Sequence, residues 1–310
     1  MDNTPSTPRS PRTVESPCTL GAPLTMKTLV IAKTALAALV FAVPAAAAPL
    51  EVTPIVGSPQ GFFVTATLVT GEKEAVLIDT AFTLADAHRV AAAVLDSGKK
   101  LTTIFVTHAH PDHYFGTAVL KAAFPQAKLV ARPEVVKEIE KQWKGKVAQW
   151  GPIYGANLSE QVVVPQEFKG EALTLEGAAL VIHSGVQGDD AHNAWVWIPS
   201  VKAVIGGDTL YNGVHLWTAE TKAAHRTAWL ATLDTIEKLK PELIIAGHKV
   251  PDAKDDASSI AFTREYLKAF EAAVKGSKTA NEALDKVKAK YPAAALDIIA
   301  RIGAEAQYTK

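Results

Sequence analysis

The sequence predicts an α/β protein in which two β-sheets face each other and helices lie outside them. Three observations predict this class. Runs rich in β-branched and aromatic residues occur in both halves of the chain. Segments with helical spacing alternate with these runs. The last fifty residues have helical spacing alone, which adds a C-terminal helical extension to the layered sheets.

In the first half, strands and helices alternate. Gly71-Glu72-Lys73 is a turn signal between two strands, and Pro133 marks the start of a helix. Residues 151–165 contain Gly, Pro and Asn, and we expect a loop over a site there. The predicted strands cover residues 61–69, 74–78, 102–107 and 128–131, and the predicted helices cover residues 84–95, 116–124 and 133–150.

The second half holds shorter strands and longer helices. Pro199-Ser200 is a turn between two of the strands. The C-terminal helices are amphipathic, so we expect them to pack on the sheets or against a second subunit, which would make a homodimer. The predicted strands cover residues 167–175, 179–183, 194–198, 201–205 and 243–246, and the predicted helices cover residues 221–240, 258–275, 279–290 and 292–306.

Composition excludes several classes of protein. The 310 residues have a formal net charge of zero, so no nucleic-acid partner is expected. The single cysteine, Cys18, excludes a disulfide within one chain. A metal site in the body of the protein must therefore use His, Asp or Glu.

The N-terminus contains two different segments. Residues 1–25 are rich in Pro, Ser and Thr, which predicts disorder or an extension from a misassigned start. Residues 26–47 have the layout of a signal peptide, with cleavage near Ala47 or Ala48. Its apolar core is too short to span a bilayer comfortably. We expect export to the periplasm or secretion, without stable membrane insertion after cleavage.

Three imidazoles and a carboxylate fall within six residues, directly after the apolar run 101–106. They are His108, His110, Asp112 and His113. Imidazole and carboxylate are ligands for Zn²⁺ and similar borderline metals. The spacing suits one loop that leaves a strand and presents ligands on two sides.

Two further ligand-type residues occur at predicted strand ends. Asp208 follows Val204-Ile205-Gly206-Gly207, and His248 follows Ile244-Ile245-Ala246-Gly247. A side chain at a strand terminus can be held rigidly while it faces a cleft. Together with the loop at residues 108–113 they form a candidate metal-binding constellation.

This pattern, His-x-His-x-Asp-His followed by Gly-Asp and later by Gly-His, resembles the metallo-β-lactamase-fold hydrolase superfamily. The resemblance covers about residues 50–255 and implies an αββα sandwich, with residues 256–310 as a helical extension packed on it. It also implies a two-metal site between the sheets, with Asp79 orienting the metal loop. The implied ligands are His108 and His110 for the first metal, Asp112, His113 and His248 for the second, and Asp208 as the bridge.

One implied ligand departs from the family pattern. The family's third histidine for the first metal lies in a turn that here reads Gly188-Asp189-Asp190-Ala191-His192-Asn193. Alignment on Gly188 puts Asp189 at that position, whereas a shift of three residues would put His192 there. A third possibility is that neither residue is a ligand. An aspartate would weaken zinc binding relative to histidine. One or two Zn²⁺ ions per chain are expected, with iron and manganese as alternatives.

The resemblance implies a metal-dependent hydrolase in which a metal-activated hydroxide, held by Asp112 or Asp208, attacks a small ester, lactone or related electrophile. Tyr211 lies where lactonases of the superfamily place a carbonyl-polarising tyrosine, although simple packing is equally consistent with its position. His215 is a candidate base or replacement metal ligand. An exported branch similar to lactonases or hydrolytic dehalogenases is favoured over a true β-lactamase. Amide hydrolysis of the β-lactamase type, hydrolytic dehalogenation, mononuclear iron dioxygenation and non-catalytic binding of a small molecule are the alternatives.

Overall fold

The structure, a computed structural model, describes residues 50–309. The predicted signal peptide at residues 26–47 and the predicted extension at residues 1–25 lie outside the described residues. Within residues 50–309, no helix combines the length and the apolar character needed to cross a bilayer.

The first sheet has six strands that lie side by side in chain order. The first three pair antiparallel, and the remaining pairs are parallel. The strands are β1 (Glu51–Val56), β2 (Thr65–Thr70), β3 (Glu74–Ile78), β4 (Lys100–Val106), β5 (Lys128–Ala131) and β6 (Gln166–Glu167). Because β3 and β4 are parallel, the residues that follow them, Asp79 and Thr107, lie at the same edge of the sheet.

The second sheet has five strands, β7 (Ala172–Leu175), β8 (Ala178–Val186), β9 (Asn193–Ile198), β10 (Ala203–Ile205) and β12 (Leu243–Ile245). Their order is β12-β10-β9-β8-β7, and only the β10–β12 pair is parallel among the described pairs of this sheet. A separate parallel pair joins β11 (Tyr211–Asn212) to β13 (His248–Lys249). It brings two segments that follow the second sheet into register, with Tyr211 opposite His248.

Eight helices accompany the sheets within residues 50–309. They are α1 (Leu84–Asp96), α2 (Pro111–Tyr114), α3 (Thr117–Ala123), α4 (Pro133–Tyr154), α5 (Ala223–Lys238), α6 (Ser258–Lys275), α7 (Ala280–Lys290) and α8 (Asp297–Tyr308). α1 begins after Thr83, whose hydroxyl accepts a hydrogen bond from the Asp86 amide, as helix N-caps commonly do.

The layers follow from the alternation of side chains along the strands. In β3, Val76 and Ile78 join a core shared by the two sheets, whereas Ala75 and Leu77 join a core shared with the helices. Successive strand residues face opposite sides, so a strand buried on both faces is apolar throughout. β3 is therefore sandwiched between the second sheet and the outer helices.

Helices cover both outer faces of the paired sheets. The core under the first sheet includes residues of α1, α3 and α4, and the core under the second sheet includes residues of α5 and α6. The order of layers is helix, sheet, sheet, helix, which confirms the predicted αββα sandwich. The predicted C-terminal helices are also present as α6, α7 and α8.

The structure corrects several predicted boundaries. The predicted loop at residues 151–165 is wrong in its first part, because α4 continues to Tyr154 and a 3₁₀ turn follows at Gly155–Asn157. The last helix begins at Asp297 rather than at residue 292, since Ala295 forms a bridge with Val214 instead. The sequence did not predict β11 and β13, because two residues are too few to show a strand period.

Candidate metal centre

Ligand-type side chains converge from segments that follow the strands. His108 and His110 follow β4, Asp208 lies in the turn after β10, and His248 lies in β13 just after β12. Gly247 allows the last two segments to approach, because a Cβ on it would overlap with Asp208 Oδ1 and the Gly207 carbonyl. Glycine at this position therefore keeps two candidate ligands within reach of each other.

The first ligand group contains His108, His110, Asp189 and Asp208, with ligand atoms that all lie within 4.8 Å of one another. His110 Nδ1 is 2.9 Å from Asp189 Oδ2. His108 Nε2 is 3.7 Å from Asp208 Oδ2 and 3.9 Å from Asp189 Oδ1. Two imidazole nitrogens and two carboxylates thus surround one point.

The second ligand group contains Asp112, His113 and His248, again within 4.8 Å. His248 Nε2 lies 3.1 Å from Asp112 Oδ2. Asp208 lies between the two groups, with Oδ1 3.1 Å from His113 Nε2 and Oδ2 3.2 Å from His248 Nε2. This is the bridging position that the sequence resemblance implies for Asp208.

Each of three imidazoles is held by an outer partner through Nδ1 and presents Nε2 to the centre. The partners are the Thr107 hydroxyl for His108 at 3.1 Å, Asp79 for His113 at 2.8 Å and the Phe62 carbonyl for His248 at 2.7 Å. Such partners fix the orientation and tautomer of metal-binding histidines. Asp79 also accepts hydrogen bonds from the amide and hydroxyl of Thr107, so it orients the metal loop as the resemblance implies.

The donor set fits a divalent metal. The Nε2 atoms of His108 and His113 and Oδ1 of Asp208 are buried and make no hydrogen bond, so a bound cation would supply a partner for them. Burial favours a lower pKa for His113 and His248, but the neighbouring carboxylates outweigh it and raise the pKa of both, so metal binding would displace a proton from each. Burial and the neighbouring His113 imidazole lower the pKa of His108 to about 4, which keeps it neutral and able to bind metal. Burial raises the pKa of Asp189 to about 8. A cation would relieve the repulsion between Asp189 and Asp208.

The structure separates the two alternatives for the third ligand of the first group. Asp189 is fully buried and belongs to the group, and Asn193 donates a hydrogen bond to its Oδ1. His192 is exposed, and its amide donates to Asp190. The slipped register that would have recruited His192 is not adopted, because β9 begins at Asn193 and fixes the turn before it.

Two residues proposed for catalysis lie beside the ligand groups. The Tyr211 hydroxyl donates to Asp208 Oδ2 at 2.8 Å and lies 3.3 Å from Asp189 Oδ2. His215 belongs to neither ligand group, so the structure does not support it as a replacement ligand. Its Nδ1 lies 2.9 Å from the Tyr266 hydroxyl, and its Nε2 lies 3.5 Å from Asp297.

Comparison with known families identifies the chain. The family model described as the metallo-beta-lactamase superfamily matches residues 59–248. This chain belongs to the metallo-beta-lactamase superfamily. The match contains all seven grouped ligands and ends at the last of them, His248.

Solved structures of the superfamily share its fold. A metallo-beta-lactamase family protein from Thermus thermophilus is 22% identical with a TM-score of 0.58, covering 84% of this chain and 91% of its own. The BLEG-1 B3 metallo-beta-lactamase is 17% identical with a TM-score of 0.53, covering 70% of this chain and 99% of its own. A metallo-beta-lactamase from Pontibacter korlensis is 16% identical with a TM-score of 0.52, covering 71% and 95%. The search of curated proteins gave no match.

In this metallo-beta-lactamase-superfamily chain, five of the seven grouped ligands line a cavity of about 400 Å³. His110, Asp112, Asp189, Asp208 and His248 line it, together with Tyr211 and His215. Two helices supply apolar walls, Trp150, Ile153 and Tyr154 at the end of α4 and Ile298, Ile299 and Ile302 on α8.

Glu220 is a site residue that the sequence did not reveal. Its carboxylate lies 3.3 Å from His110 Nε2, and the Trp217 indole donates to it at 3.3 Å. Partial burial favours a higher pKa for Glu220, but the His110 interaction outweighs it and lowers the pKa to about 2. Glu220 has no strand-end or histidine-rich context in the sequence, so no local signal marked it.

Proposed function

We propose that this protein is a metal-dependent hydrolase that acts on a small ester, lactone or related electrophilic substrate. The observation that carries the proposal is the placement of both ligand groups on the floor of one cavity, beside the Tyr211 hydroxyl. A substrate in this cavity would therefore meet the metal ligands and a hydrogen-bond donor together.

We propose one or two Zn²⁺ ions as the natural metal. Imidazole and carboxylate donors without thiolate suit zinc, and iron or manganese are the alternatives tested below. The first group would be held by His108, His110 and Asp189, the second by Asp112, His113 and His248, and Asp208 would be shared. When bound, a divalent metal supplies a water of lowered pKa and polarises the electrophilic group of the substrate.

Asp112 is proposed to position the attacking water. Burial favours a higher pKa for this carboxyl, but the His113 and His248 imidazoles outweigh it and lower the pKa, so the group is ionised at neutral pH. It lines the cavity, where it can accept a hydrogen bond from an attacking water and orient it.

Tyr211 is the proposed oxyanion donor. Burial and the carboxylates of Asp189 and Asp208 raise the pKa of its hydroxyl well above the usual value. The hydroxyl stays protonated, and in this structure its proton is donated to Asp208. If a bound metal took up the Asp208 carboxylate, the hydroxyl could instead donate to the negative charge that develops on a substrate oxygen. His215 is neutral at pH 7 because burial lowers its pKa, so it is available as a proton carrier in the cavity wall.

The proposal is tested by metal analysis combined with a screen of esters, lactones and β-lactams. We expect stoichiometric zinc and turnover of an ester or lactone. The variant His113→Ala should lose bound metal and turnover, whereas His88→Ala, on the exposed face of α1, should keep both. Stoichiometric iron with consumption of O₂ would contradict the hydrolase and indicate an oxygenase. Full turnover by His113→Ala would show that the proposed metal site is not the active site.

We also propose that the protein is exported through the segment at residues 26–47. The charge and apolar pattern of that segment support this proposal. Fractionation of expressing bacteria followed by N-terminal sequencing tests it. We expect periplasmic or secreted protein that begins near Ala48 or Pro49, and cytoplasmic protein that retains residues 26–47 would contradict it.

A further inference from the structure

The cavity has two exposed apolar side chains at its edge. Four large hydrophobic residues are exposed within residues 50–309, namely Leu95, Ile153, Val163 and Ile298. Ile153 is 69% exposed and Ile298 is 52% exposed, and both line the cavity above the ligand groups. Single exposed apolar residues are ordinary, but two that border one cavity mark a surface for an apolar ligand.

The rest of the wall offers little to a charged ligand group. Apart from the candidate ligands and His215, Lys146 and Glu220 are the charged residues among those described that line the cavity. They have opposite charges, and Lys146 is close enough to help lower the pKa of Glu220. Most of the other lining residues are aromatic or aliphatic, so the side of the cavity remote from the ligands is apolar and nearly neutral.

The α8 part of this wall is tied to the site itself. The amide of His215 donates to the Ala295 carbonyl, and the amide of Ala295 donates to the Gly213 carbonyl, both at 2.9 Å. Gln307 on α8 also donates to the Thr218 carbonyl. These bonds fix α8 to the segment that carries His215.

Leu296 turns the chain into α8 with a positive φ of 71°, a conformation that is rare for a bulky residue. Its side chain lines the cavity. Strained backbone is found where the surrounding structure holds it, often at ligand sites. The bridge at Ala295 and the helix after it hold Leu296 in this wall.

We propose that the α4–α8 wall, formed by Trp150, Ile153, Tyr154, Leu296, Ile298 and Ile302, binds an uncharged hydrocarbon group of the substrate. This inference rests on the proposed function and names its substrate class, namely esters or lactones that carry an apolar chain or ring. Burial of that hydrocarbon group contributes to substrate binding at a distance from the bond that reacts. The enzyme therefore selects substrates by the length of their apolar part.

The experiment measures binding without hydrolysis. Butanol, hexanol and octanol are titrated into the metal-loaded protein, and tryptophan fluorescence is followed, since Trp150 and Trp217 line the cavity. We expect the Kd to fall by up to about fourfold for each added methylene. A total change below about twofold from butanol to octanol would overturn the proposal, because buried methylenes must contribute to affinity.

A matched set of variants locates the binding surface. The double variant Ile153→Ser/Ile298→Ser should weaken octanol binding by about tenfold, because part of the apolar contact is lost. Leu95→Ser is the control, since Leu95 is 65% exposed on α1 and does not line the cavity. Both replaced positions are exposed, so the fold should be kept, and circular dichroism checks this. If the double variant bound octanol as tightly as the parent, the proposed binding of hydrocarbon groups by this wall would be wrong.

Failure of the wall and failure of the proposed function are distinguishable. Nitrophenyl esters from butyrate to octanoate are assayed beside the alcohols. Octanol binding without hydrolysis of any ester or lactone would reject the hydrolase and leave the apolar wall in place. Hydrolysis without dependence on chain length, together with weak octanol binding, would keep the hydrolase and reject the wall.

Discussion

The Glu220 carboxylate lies 3.3 Å from Nε2 of His110, while Nδ1 of the same ring lies 2.9 Å from Asp189. A carboxylate from the segment between β11 and α5 thus lies beside His110 on the side away from Asp189. The other three histidines of the centre are held through Nδ1 and present Nε2. His110 has the reverse arrangement, with Nδ1 toward Asp189 and Nε2 toward Glu220, and we predict that Glu220 helps to orient its ring.

Replacing Glu220 with glutamine should weaken metal binding. Loss of a partner that orients a metal-binding histidine typically lowers metal affinity by about 10-fold to 100-fold. Competition with a chromogenic chelator measures the affinity. Glu140→Gln, at an exposed position of α4, is the control and should bind metal as the parent does. Equal affinities for the two variants would mean that Glu220 does not orient His110.

Replacing Asp189 with asparagine should remove metal from the first ligand group and leave the second group loaded. Asp189 contributes a carboxylate to the first group alone, and the neutral amide is a poorer ligand. Elemental analysis of the purified protein measures metal per chain. His192→Ala should retain the parental content because His192 is exposed and outside both groups. Metal loss in His192→Ala would instead indicate that His192 is the third ligand of the first group.

Replacing Gly247 with alanine should destabilise the fold. The added methyl group would overlap with Asp208 and with the Gly207 backbone, and such overpacking typically costs about 1–3 kcal/mol. Urea unfolding measures the free energy of unfolding. Gly145→Ala, inside α4 with open space around it, should instead stabilise the protein by about 0.5–1 kcal/mol. A stabilised or unchanged Gly247→Ala variant would show that the two ligand segments are not in close contact.

Glu176 should make stability depend on pH in the acid range. Its carboxylate, in the turn between β7 and β8, accepts hydrogen bonds from the amides of Lys73, Glu72 and Glu74. These bonds, that of Lys73 foremost, lower the pKa of Glu176. Because the pKa is lower in the folded state, the stabilisation is present above the unfolded-state pKa and is lost as the pH falls through the folded-state pKa.

The variant Glu176→Gln tests this linkage. We expect it to unfold at lower urea concentration than the parent at pH 7, and the difference between the two should shrink as the pH falls below 4.5, the ordinary pKa of the carboxyl group. Glu171→Gln, at an exposed neighbouring position, should follow the parent throughout. A difference that stays constant with pH would exclude the carboxylate as its source.

The sequence predicted the αββα architecture and named all the grouped residues as candidate metal ligands. The boundaries of β3, β5 and α6 agree with the predicted ones. β3 follows the turn at Gly71-Glu72-Lys73, β5 ends just before Pro133, and α6 ends at Gly276. The loop at residues 108–113 was recognisable from its density of histidine and carboxylate, and Asp208 and His248 because each follows a strand. The sequence did not decide whether Asp189 or His192 is the third ligand of the first group, because a turn has no periodic pattern that would fix its alignment.

Long-range relationships were beyond sequence reasoning. Glu220 reaches His110 across 110 positions of the chain, and α8 reaches the cavity through the bridge between Ala295 and Val214. Neither has a local signal, because the contact exists only after the layers have packed. The apolar residues of α8 also fit an ordinary amphipathic helix, so their role in a cavity wall could not be separated from core packing.

The bridge between Ala295 and Val214 joins the segment before α8 to the part of the chain that carries the grouped ligands. The grouped ligands lie between His108 and His248, whereas the α8 wall comes entirely after them. Exchanging α8 would therefore change this wall, and with it the support of the His215 segment, while every grouped ligand stays in place. Two chains with the same grouped ligands can therefore differ in the wall that faces those ligands.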